Sequence, residues 1–312
     1  MKIVKAGIDL GNSMLKGATF IDGKLILKKL PNKIQYNKTI NSKARVIIRD
    51  NQTIYLGVGE LNNNVLKHTR KNLLDQVLVM ISELYPDDNE LSVDLRLGLP
   101  PVQFFNESYL KSFENLFSTN QVFEFTINGI AKKITFNSVE TKVEGYSGFV
   151  SVADTIDTKQ DLLSIDVGGG TTDLCSYKYD YEDKMYYPNL VDTIPKGVID
   201  FSEEIANYFN SVNNADITKD NIDQVLKNNL DNIEYKDKDY KLEDYIDIIK
   251  PTTDNMLNKI TNKFGQLDRY AIVGVGGGYK TFNRMIKEHI SNEIKIKEDK
   301  QFYANAIGYL AQ

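Results

Sequence analysis

Two regions of the chain, one at its start and one near its middle, begin with an apolar segment that ends in aspartate. The first segment ends at Asp9 and the second at Asp166, and in both cases glycine and small polar residues follow before an alternating segment. Alternation of apolar and polar residues is typical of strands with one buried face, and glycine beside small polar residues predicts a tight turn. Each region is therefore predicted to form strand, turn and strand.

The two regions also repeat each other. Residues 8–16 match residues 165–173, and the two aspartates are 157 positions apart, which is almost half of the 312-residue chain. Asp22 and Gly23 predict a hairpin after the first region, and residues 180–183 join the corresponding segments after the second. This duplication predicts two homologous halves, each beginning with a three-stranded antiparallel meander.

Helical periodicity follows the meander in both halves. Residues 72–84 and residues 201–209 place apolar side chains at the spacing of one helix face. Polar residues dominate residues 213–247, which predicts a helical insertion on the surface rather than in the core. An apolar strand over residues 270–275 runs directly into Gly276. The halves are thus predicted to be α/β domains.

The composition is that of an ordinary globular protein and excludes several classes. Hydrophobic residues make up 41% and charged residues 26% of the chain, so a disordered or fibrous protein is excluded. Cys175 is the single cysteine, which excludes an internal disulfide framework. The N-terminal residues lack the features of a signal peptide and no apolar run is long enough to cross a membrane, so we expect a cytoplasmic protein without membrane contact.

The charge balance bears on possible partners. The net charge is −5, which gives the surface as a whole no electrostatic reason to hold nucleic acid. Direct contact with nucleic acid is therefore not expected, and any DNA contact is expected to go through a partner protein.

Three glycine-bearing turns that follow apolar strands carry the candidate chemistry: turn 1 (residues 11–13), turn 2 (residues 168–171) and the glycine loop (residues 276–278). Glycine after a strand lets backbone N–H groups approach phosphate oxygens. One such turn is weak evidence, because it is often only a turn, but a duplicated turn with paired aspartates is more specific. The residues expected to hold phosphates are Gly11, Asn12, Ser13, Lys16, Gly168, Gly169, Gly170, Thr171 and Thr172.

Asp9 and Asp166 are candidate metal ligands. If the two halves face each other across a pseudo-twofold axis, their carboxylates converge, and Mg²⁺ is usually held by one or two carboxylates with water and substrate phosphates. The alternative is that both aspartates only cap their turns. The chain has no Walker A sequence and no complete dinucleotide-binding fingerprint, so those two nucleotide folds are disfavoured.

With these motifs the sequence resembles the superfamily of actin, sugar kinases and heat-shock chaperone ATPases. The resemblance rests on two phosphate motifs at residues 9–16 and 166–173 and an adenosine motif at residues 273–278. Residues 140–146 and 302–310 are similar to those of the bacterial actin-like proteins of the ParM type, which segregate plasmids. The resemblance implies an α/β, actin-like fold of two duplicated ribonuclease-H-like domains around a nucleotide cleft.

The resemblance also implies a division into domains. Domain I is expected to comprise residues 1–148 plus about 300–312, with an inserted subdomain at about 31–100. Domain II is expected to comprise residues 149–299, with an inserted subdomain at about 203–265.

Individual roles follow from the same resemblance. Glu140 is expected to orient the water that attacks the γ-phosphate, with Glu144 as the competing residue. Tyr279 either stacks on the base or crowds it, which leaves ATP and GTP both open. The residues expected near the ribose and the base are Lys196, Gly197, Asp200, Gly276, Gly277, Gly278 and Tyr279.

The function implied is that of an ATPase, or GTPase, that uses Mg²⁺ and polymerises in response to nucleotide. Subunits adding head to tail make contacts that do not close, so a filament results. A DNA-binding adaptor protein is expected at the filament end. The alternatives are a small-molecule kinase and a nucleotide-gated binding module of the same superfamily.

Overall fold

The computed structural model describes residues 2–62, 64, 66–153, 156, 158–228 and 230–311. The chain divides into two units. Unit 1 comprises Met1–Thr155 together with Lys297–Gln312, and unit 2 comprises Ile156–Ile296. Among the described residues no helix is long and apolar enough to span a membrane.

Unit 1 is built on a mixed β-sheet with helices. Its strands are β1 (Lys2–Leu10), β2 (Met14–Ile21), β3 (Lys24–Pro31), β4 (Lys33–Gln35), β5 (Arg45–Arg49), β6 (Gln52–Leu56), β7 (Glu60–Leu61), β8 (Glu90–Leu99), β9 (Val122–Ile127) and β10 (Ile130–Val143). The helices in this part of the chain are α1 (Leu73–Leu84), α2 (Pro101–Phe104), α3 (Glu107–Glu114) and α4 (Tyr146–Val150). The strand order is β3-β2-β1-β8-β10-β9-β5-β6-β4-β7.

Unit 2 has a four-stranded sheet and a two-stranded hairpin. Its strands are β11 (Leu162–Val167), β12 (Thr172–Asp180), β13 (Met185–Ile194), β14 (Asn232–Tyr235), β15 (Lys238–Lys241) and β16 (Ala271–Val275). Its helices are α5 (Val198–Asn213), α6 (Lys219–Lys227), α7 (Glu243–Ile246), α8 (Lys250–Phe264) and α9 (Tyr279–Ile286). The larger sheet has the order β13-β12-β11-β16. The last helix of the chain, α10 (Glu298–Ala311), belongs to unit 1.

The predicted repeat is confirmed by the pairing of the strands. β1, β2 and β3 form an antiparallel meander with β1 parallel to β8, and β11, β12 and β13 form the same meander with β11 parallel to β16. Asp9 pairs in register with Lys16, and Asp166 pairs with Asp173. The two aspartates therefore occupy the same position in the same motif, one in each unit.

Strand β8 lies at the centre of the unit 1 sheet, between β1 and β10. Most of its residues are buried on both faces, as parallel strands in the middle of a sheet usually are. Residues 31–100, expected to form an inserted subdomain, thus contribute β4 to β7 at one end of this sheet and β8 at its middle.

Residues 213–247 contribute to the core of unit 2, so the prediction that they form a helical surface insertion is wrong. They contain the hairpin β14–β15 between α6 and α7, and they bury Ile222, Ile233 and Ile246 in the main apolar cluster. Apolar residues are sparse in this stretch, but each of these short elements turns its few apolar side chains to one buried side.

Helix α10 packs against β1, β2 and α4 of unit 1. The backbone N–H of Gly145 donates to Asn305 Oδ1 at 3.2 Å. A Cβ on Gly308 would collide with the backbone of Ser147, so glycine is needed where α10 approaches α4. The C-terminal helix therefore braces the chain where it leaves β10.

Candidate functional site

Turn 1 is held in place by the buried side chain of Asn32. Its Nδ2 donates to the carbonyl oxygen of Gly11 at 2.7 Å and to that of Asn12 at 3.3 Å. Its backbone N–H donates to Ser13 O at 3.0 Å. Gln76 Nε2 donates to Asn32 Oδ1 at 2.6 Å and so fixes the orientation of the amide. Asn32 therefore binds the backbone carbonyl oxygens of all three residues of turn 1.

Arg70 supports the same turn from a different segment. Its guanidinium donates to the carbonyl oxygen of Leu10 at 2.7 Å and to Oδ1 of Asn12 at 2.5 Å. Burial lowers the pKa of Arg70 to about 10, although Glu144 and Asp9 act in the opposite direction. At neutral pH the group is therefore a buried cation at the back of turn 1.

Asp9 carries a buried negative charge at the end of β1. Lys16 Nζ lies 2.8 Å from Asp9 Oδ2, and both side chains are largely shielded from solvent. Burial raises the pKa of Asp9, but the cations of Lys16, Lys67 and Arg70 outweigh it, so that the pKa is lower than usual. Asp9 is consequently ionised at neutral pH and Lys16 is directed at it.

Turn 2 is closed by bonds within its own strands. The backbone N–H of Gly168 donates to Thr171 O at 2.8 Å. The hydroxyl of Thr171 donates to Asp173 Oδ2 at 3.2 Å, and that of Thr172 donates to Lys196 O at 2.9 Å. Gly169 and Gly170 are only partly buried, so the tip of turn 2 is accessible in unit 2.

The N-terminus of α5 is fastened to turn 2. The backbone N–H groups of Val198 and Ile199 donate to the carbonyl oxygens of Gly168 and Gly169, at 3.1 and 2.8 Å. A Cβ on Gly197 would collide with these same carbonyls, so only glycine permits the approach. This end of the helix therefore acts as a buttress of the turn.

Lys196 and Asp200, expected near the ribose, form a local cap at this end of α5. Asp200 accepts from the backbone N–H of Gly197 at 2.9 Å and from Lys196 Nζ at 2.7 Å. The Lys196 side chain remains 45% exposed. The contacts of Lys196 and Asp200 in the structure cap the first turn of α5, and their expected contact with a ribose stays a prediction.

The glycine loop lies directly against Asp166. Gly276 adopts φ +82°, and a Cβ there would collide with the carboxylate of Asp166 and with Val167 O. The backbone N–H of Gly278 donates to Val167 O at 2.9 Å. Gly277, between them, is exposed. Asp166, turn 2 and the glycine loop are thus brought together in unit 2.

Tyr279, which is expected to stack on the base or to crowd it, has a buried side chain in unit 2. The residue is 2% exposed, and its ring occupies the space that a side chain on Gly274 would need. Burial raises the pKa of Tyr279 far above the usual range. The sequence does not show this orientation, because it depends on the packing of the ring against Gly274 in β16.

A cavity of about 330 Å³ opens beside the first turns of α9. Its apolar lining comes from α6 and α7, and Lys280, Thr281 and Asn283 line it from α9. Asn283 Nδ2 donates to both carboxylate oxygens of Glu293, at 3.1 and 3.2 Å. Asn283 Oδ1 is buried and has no hydrogen-bond partner among the described residues. The cavity therefore has an apolar side and a polar side, and Asp231, Arg284 and Lys287 also line it.

Glu140 and Glu144 lie in different surroundings. Glu140 is paired across the strands with Arg96, its side chain is 45% exposed, and it lies 2.7 Å from Arg96 Nη2 and 2.8 Å from Lys142 Nζ. The hydrogen bond from Lys142 is the main cause that holds the pKa of Glu140 below its usual value. Glu140 is therefore the half-exposed member of an ion-pair network with the buried Arg96 and the partly buried Lys142.

Glu144, in contrast, is buried just beyond the end of β10. Its carboxylate is ion-paired with Lys67, and Tyr309 OH lies 3.5 Å from Oε1. Burial raises the pKa of Glu144, Asp9 raises it further, and the cations of Lys67 and Arg70 offset this only in part. Glu140 lies within β10, whereas Glu144 follows the last residue of that strand.

The donor set accommodates a hydrated divalent cation but not a full protein cage. Carboxylate oxygens are the ligands that Mg²⁺ prefers. The carboxylate of Asp166 lies beside the backbone of Gly276 in the glycine loop. Among the described residues there is no cluster of three or more histidine, cysteine, aspartate or glutamate residues that could hold a metal. An ion held by single carboxylates, water and substrate oxygens fits these residues.

Comparisons with known proteins agree with this architecture. Residues 164–288 match a family described as the C-terminal part of MreB-like archaeal actin homologues. The crystal structure of an archaeal actin homologue has a TM-score of 0.78 at 20% identity, covering 98% of both chains. A ParM filament of 15 strands from Clostridium botulinum gives 0.76 at 20% identity, covering 100% of this chain and 99% of that one.

A third structure, Bacillus thuringiensis ParM with ATP, has a TM-score of 0.66 at 16% identity and covers 100% of this chain and 98% of that one. A search of curated proteins found no match. The chain has the actin-like fold.

Proposed function

From this fold we propose that the protein is an actin-like ATPase that assembles into filaments when it binds nucleotide. The observation that carries the proposal is the duplicated motif, in which Asp9 and Asp166 end equivalent strands beside turns that are braced from behind. Such bracing keeps backbone N–H groups in place for phosphate oxygens.

Turn 1 and turn 2 bind the phosphates in this proposal. Lys16, close to Asp9, supplies a positive charge to the β- and γ-phosphates. Within the turns, Ser13, Thr171 and Thr172 offer hydroxyl groups and Asn12 offers an amide. Asp9 and Asp166 hold Mg²⁺ through water, and the ion supplies neutralisation of the phosphate charge.

We assign water activation to Glu144 rather than Glu140. Hydrolysis needs an acceptor for the proton of the attacking water near the γ-phosphate. Glu144 is buried near Asp9, so the charge of Asp9 acts on it, and its raised pKa makes it a better proton acceptor than an ordinary carboxylate. Glu140 is ion-paired with Lys142 and Arg96, which lower its pKa and its basicity.

The base occupies the cavity beside α9, next to the glycine loop. Its volume of about 330 Å³ and the apolar part of its lining suit a planar aromatic ring. In this proposal Asn283 Oδ1, which has no partner among the described residues, accepts a hydrogen bond from the base, and Glu293 orients the amide by accepting from Asn283 Nδ2. The exocyclic amine of adenine is a donor, whereas the corresponding oxygen of guanine is an acceptor. We therefore propose ATP as the preferred nucleotide.

Self-assembly and plasmid segregation are the finer parts of the proposal. They are supported by the similarity in fold to a ParM filament over the whole chain. Because the net charge is −5, we propose that a DNA-binding adaptor at the filament end supplies the contact with DNA.

Light scattering and phosphate release, measured together after addition of Mg²⁺ with ATP or GTP, test the proposal. We expect scattering to rise first with ATP and to fall as phosphate appears. Glu144→Gln should assemble but release phosphate slowly, whereas Glu140→Gln should release it at nearly the wild-type rate. Absence of assembly, with phosphate transfer only to an added acceptor, would instead indicate a small-molecule kinase.

The assignment of the base has its own test. Asn283→Asp keeps the shape of the side chain but removes the amide donor to Glu293. Two carboxylates then face each other, so the acceptor is no longer fixed, and we expect weaker ATP binding with little change for GTP. An equal loss of affinity for ATP and GTP would show that Asn283 does not recognise the base.

A further inference from the structure

One short segment of unit 1 contacts both Glu144 and turn 1. Residues Lys67–Thr69 form a single 3₁₀ turn, and Arg70 follows directly. Lys67 bonds Glu144, while Arg70 bonds Leu10 O and Asn12 Oδ1 in turn 1. The segment therefore connects the strand-end carboxylate with the phosphate turn.

Lys67 is fixed at both its backbone and its side chain. Its backbone N–H donates to Gln103 Oε1 at 3.0 Å, and its Nζ donates to Glu144 and to Gly98 O at 3.3 Å. The residue is 2% exposed. A lysine loses considerable rotamer entropy when it is held in one geometry, so this placement must be stabilised by its partners.

The buried charges explain why a cation is needed here. Asp9 and Glu144 are both buried, and the negative charge of Asp9 raises the pKa of Glu144 by repulsion. Removing one member of a buried ion pair leaves an uncompensated charge, which protonation or movement of the other group relieves. Without Lys67, Glu144 would be free to protonate or to turn away.

We propose that Lys67 is a positioning residue, which holds the Glu144 carboxylate for water activation and couples it to turn 1 through Arg70. The inference rests on the proposed function, specifically on the role of Glu144. Lys67 acts through the carboxylate, and its own ammonium makes no contact with the nucleotide. It therefore governs the rate of hydrolysis and has little effect on nucleotide affinity.

The test is a double-mutant cycle on the full-length protein with Lys67→Met, Glu144→Gln and the double variant. Phosphate release at saturating Mg²⁺ and ATP gives kcat, and binding of a fluorescent ATP analogue gives Kd. A misplaced catalytic group costs up to about 100-fold in rate, so we expect Lys67→Met to lower kcat roughly 10- to 100-fold with Kd nearly unchanged. Lys67→Arg should recover part of this loss because it keeps the charge.

The cycle distinguishes an effect of Lys67 that operates through Glu144 from a direct effect of Lys67 on the phosphates. In the Glu144→Gln background, Lys67→Met should have no further effect on kcat. A further loss there, or a large rise in Kd, would show that Lys67 acts on the phosphates and would overturn the inference. Wild-type kcat in Lys67→Met would also overturn it, whereas wild-type kcat in Glu144→Gln would instead refute the role of Glu144.

Two additional variants cover the outcome in which Lys67→Met fails to fold. Gln103→Leu removes the acceptor of the Lys67 backbone N–H without changing any charge. We expect a smaller fall in kcat with unchanged Kd, and an unchanged kcat would contradict the inference. Lys71→Met, at a neighbouring exposed lysine, is the matched control and should keep wild-type kcat and Kd.

Discussion

Replacement of Asn32 by alanine should destabilise unit 1 by an amount that can be worked out from its hydrogen bonds. Asn32 is 0% exposed, and its side chain makes strong bonds with Gly11 O at 2.7 Å, Asn62 O at 3.0 Å and Gln76 Nε2 at 2.6 Å. Alanine removes all three and leaves buried partners without a replacement. At about 1 kcal/mol for each bond, the loss is about 3 kcal/mol, a large part of a typical total stability.

Thermal unfolding followed by circular dichroism, without nucleotide, is the assay. For a unit of this size, a loss of about 3 kcal/mol corresponds to a fall in Tm of roughly 6 to 12 °C. Asn32→Asp keeps the shape but turns a carboxylate toward carbonyl oxygens, so its loss should be at least as large. Asn37→Ala, at an exposed asparagine, is the control and should change stability by no more than about 0.5 kcal/mol. A Tm of Asn32→Ala within about 2 °C of wild type would refute the reasoning, since it is far smaller than the bonds imply.

For three further substitutions the structure predicts whether stability or ATP binding rises or falls. Gly308→Ala should lower Tm despite the better helix propensity of alanine, because overpacking against the α4 backbone costs about 1–3 kcal/mol; an increase in Tm would contradict that contact. The pKa of Asp9 is lowered in the folded state, so its ionisation stabilises the protein above the unfolded-state pKa of about 4 and this contribution is lost as pH falls further. In urea titrations from pH 3 to 7, Lys16→Met should therefore weaken the acid-dependent loss, and an identical pH profile would argue against the pair. Gly276→Ala should strain the glycine loop and displace Asp166, which reduces Mg²⁺-dependent ATP binding; isothermal titration showing wild-type affinity would exclude this.

The duplicated motif was predictable from the sequence because it depends on local patterning. Asp9 and Asp166 end apolar strands, and each is followed by glycine and a second alternating strand within ten residues. Strand alternation and turn chemistry act between near neighbours in the chain, so they are visible in one sequence. The three-stranded meanders and the turns are found where these patterns predict them.

The groups that support the turns were not predictable in the same way. Asn32, Lys67 and Arg70 carry no motif. The bonds of Lys67 to Glu144 and of Arg70 to Leu10 and Asn12 join residues that are 58 to 77 positions apart in the chain. Their meeting depends on β8 inserting between β1 and β10, which sets the register of Asp9 relative to Glu144. The resemblance favoured Glu140, and our proposal of Glu144 rests on the different burial of the two side chains, which the sequence does not show.

Taken by itself, the sequence determined the repeat, the strands and turns that carry the two aspartates, and the expectation of phosphate chemistry. The tertiary structure decided the burial of Tyr279 against Gly274, the entry of Ile222 and Ile233 into a core, and the ion pair of Lys67 with Glu144. The physical reason is one of range. Alternation, turn formation and glycine conformation are properties of adjacent residues, whereas burial, pKa and ion pairing depend on what the fold brings from elsewhere in the chain.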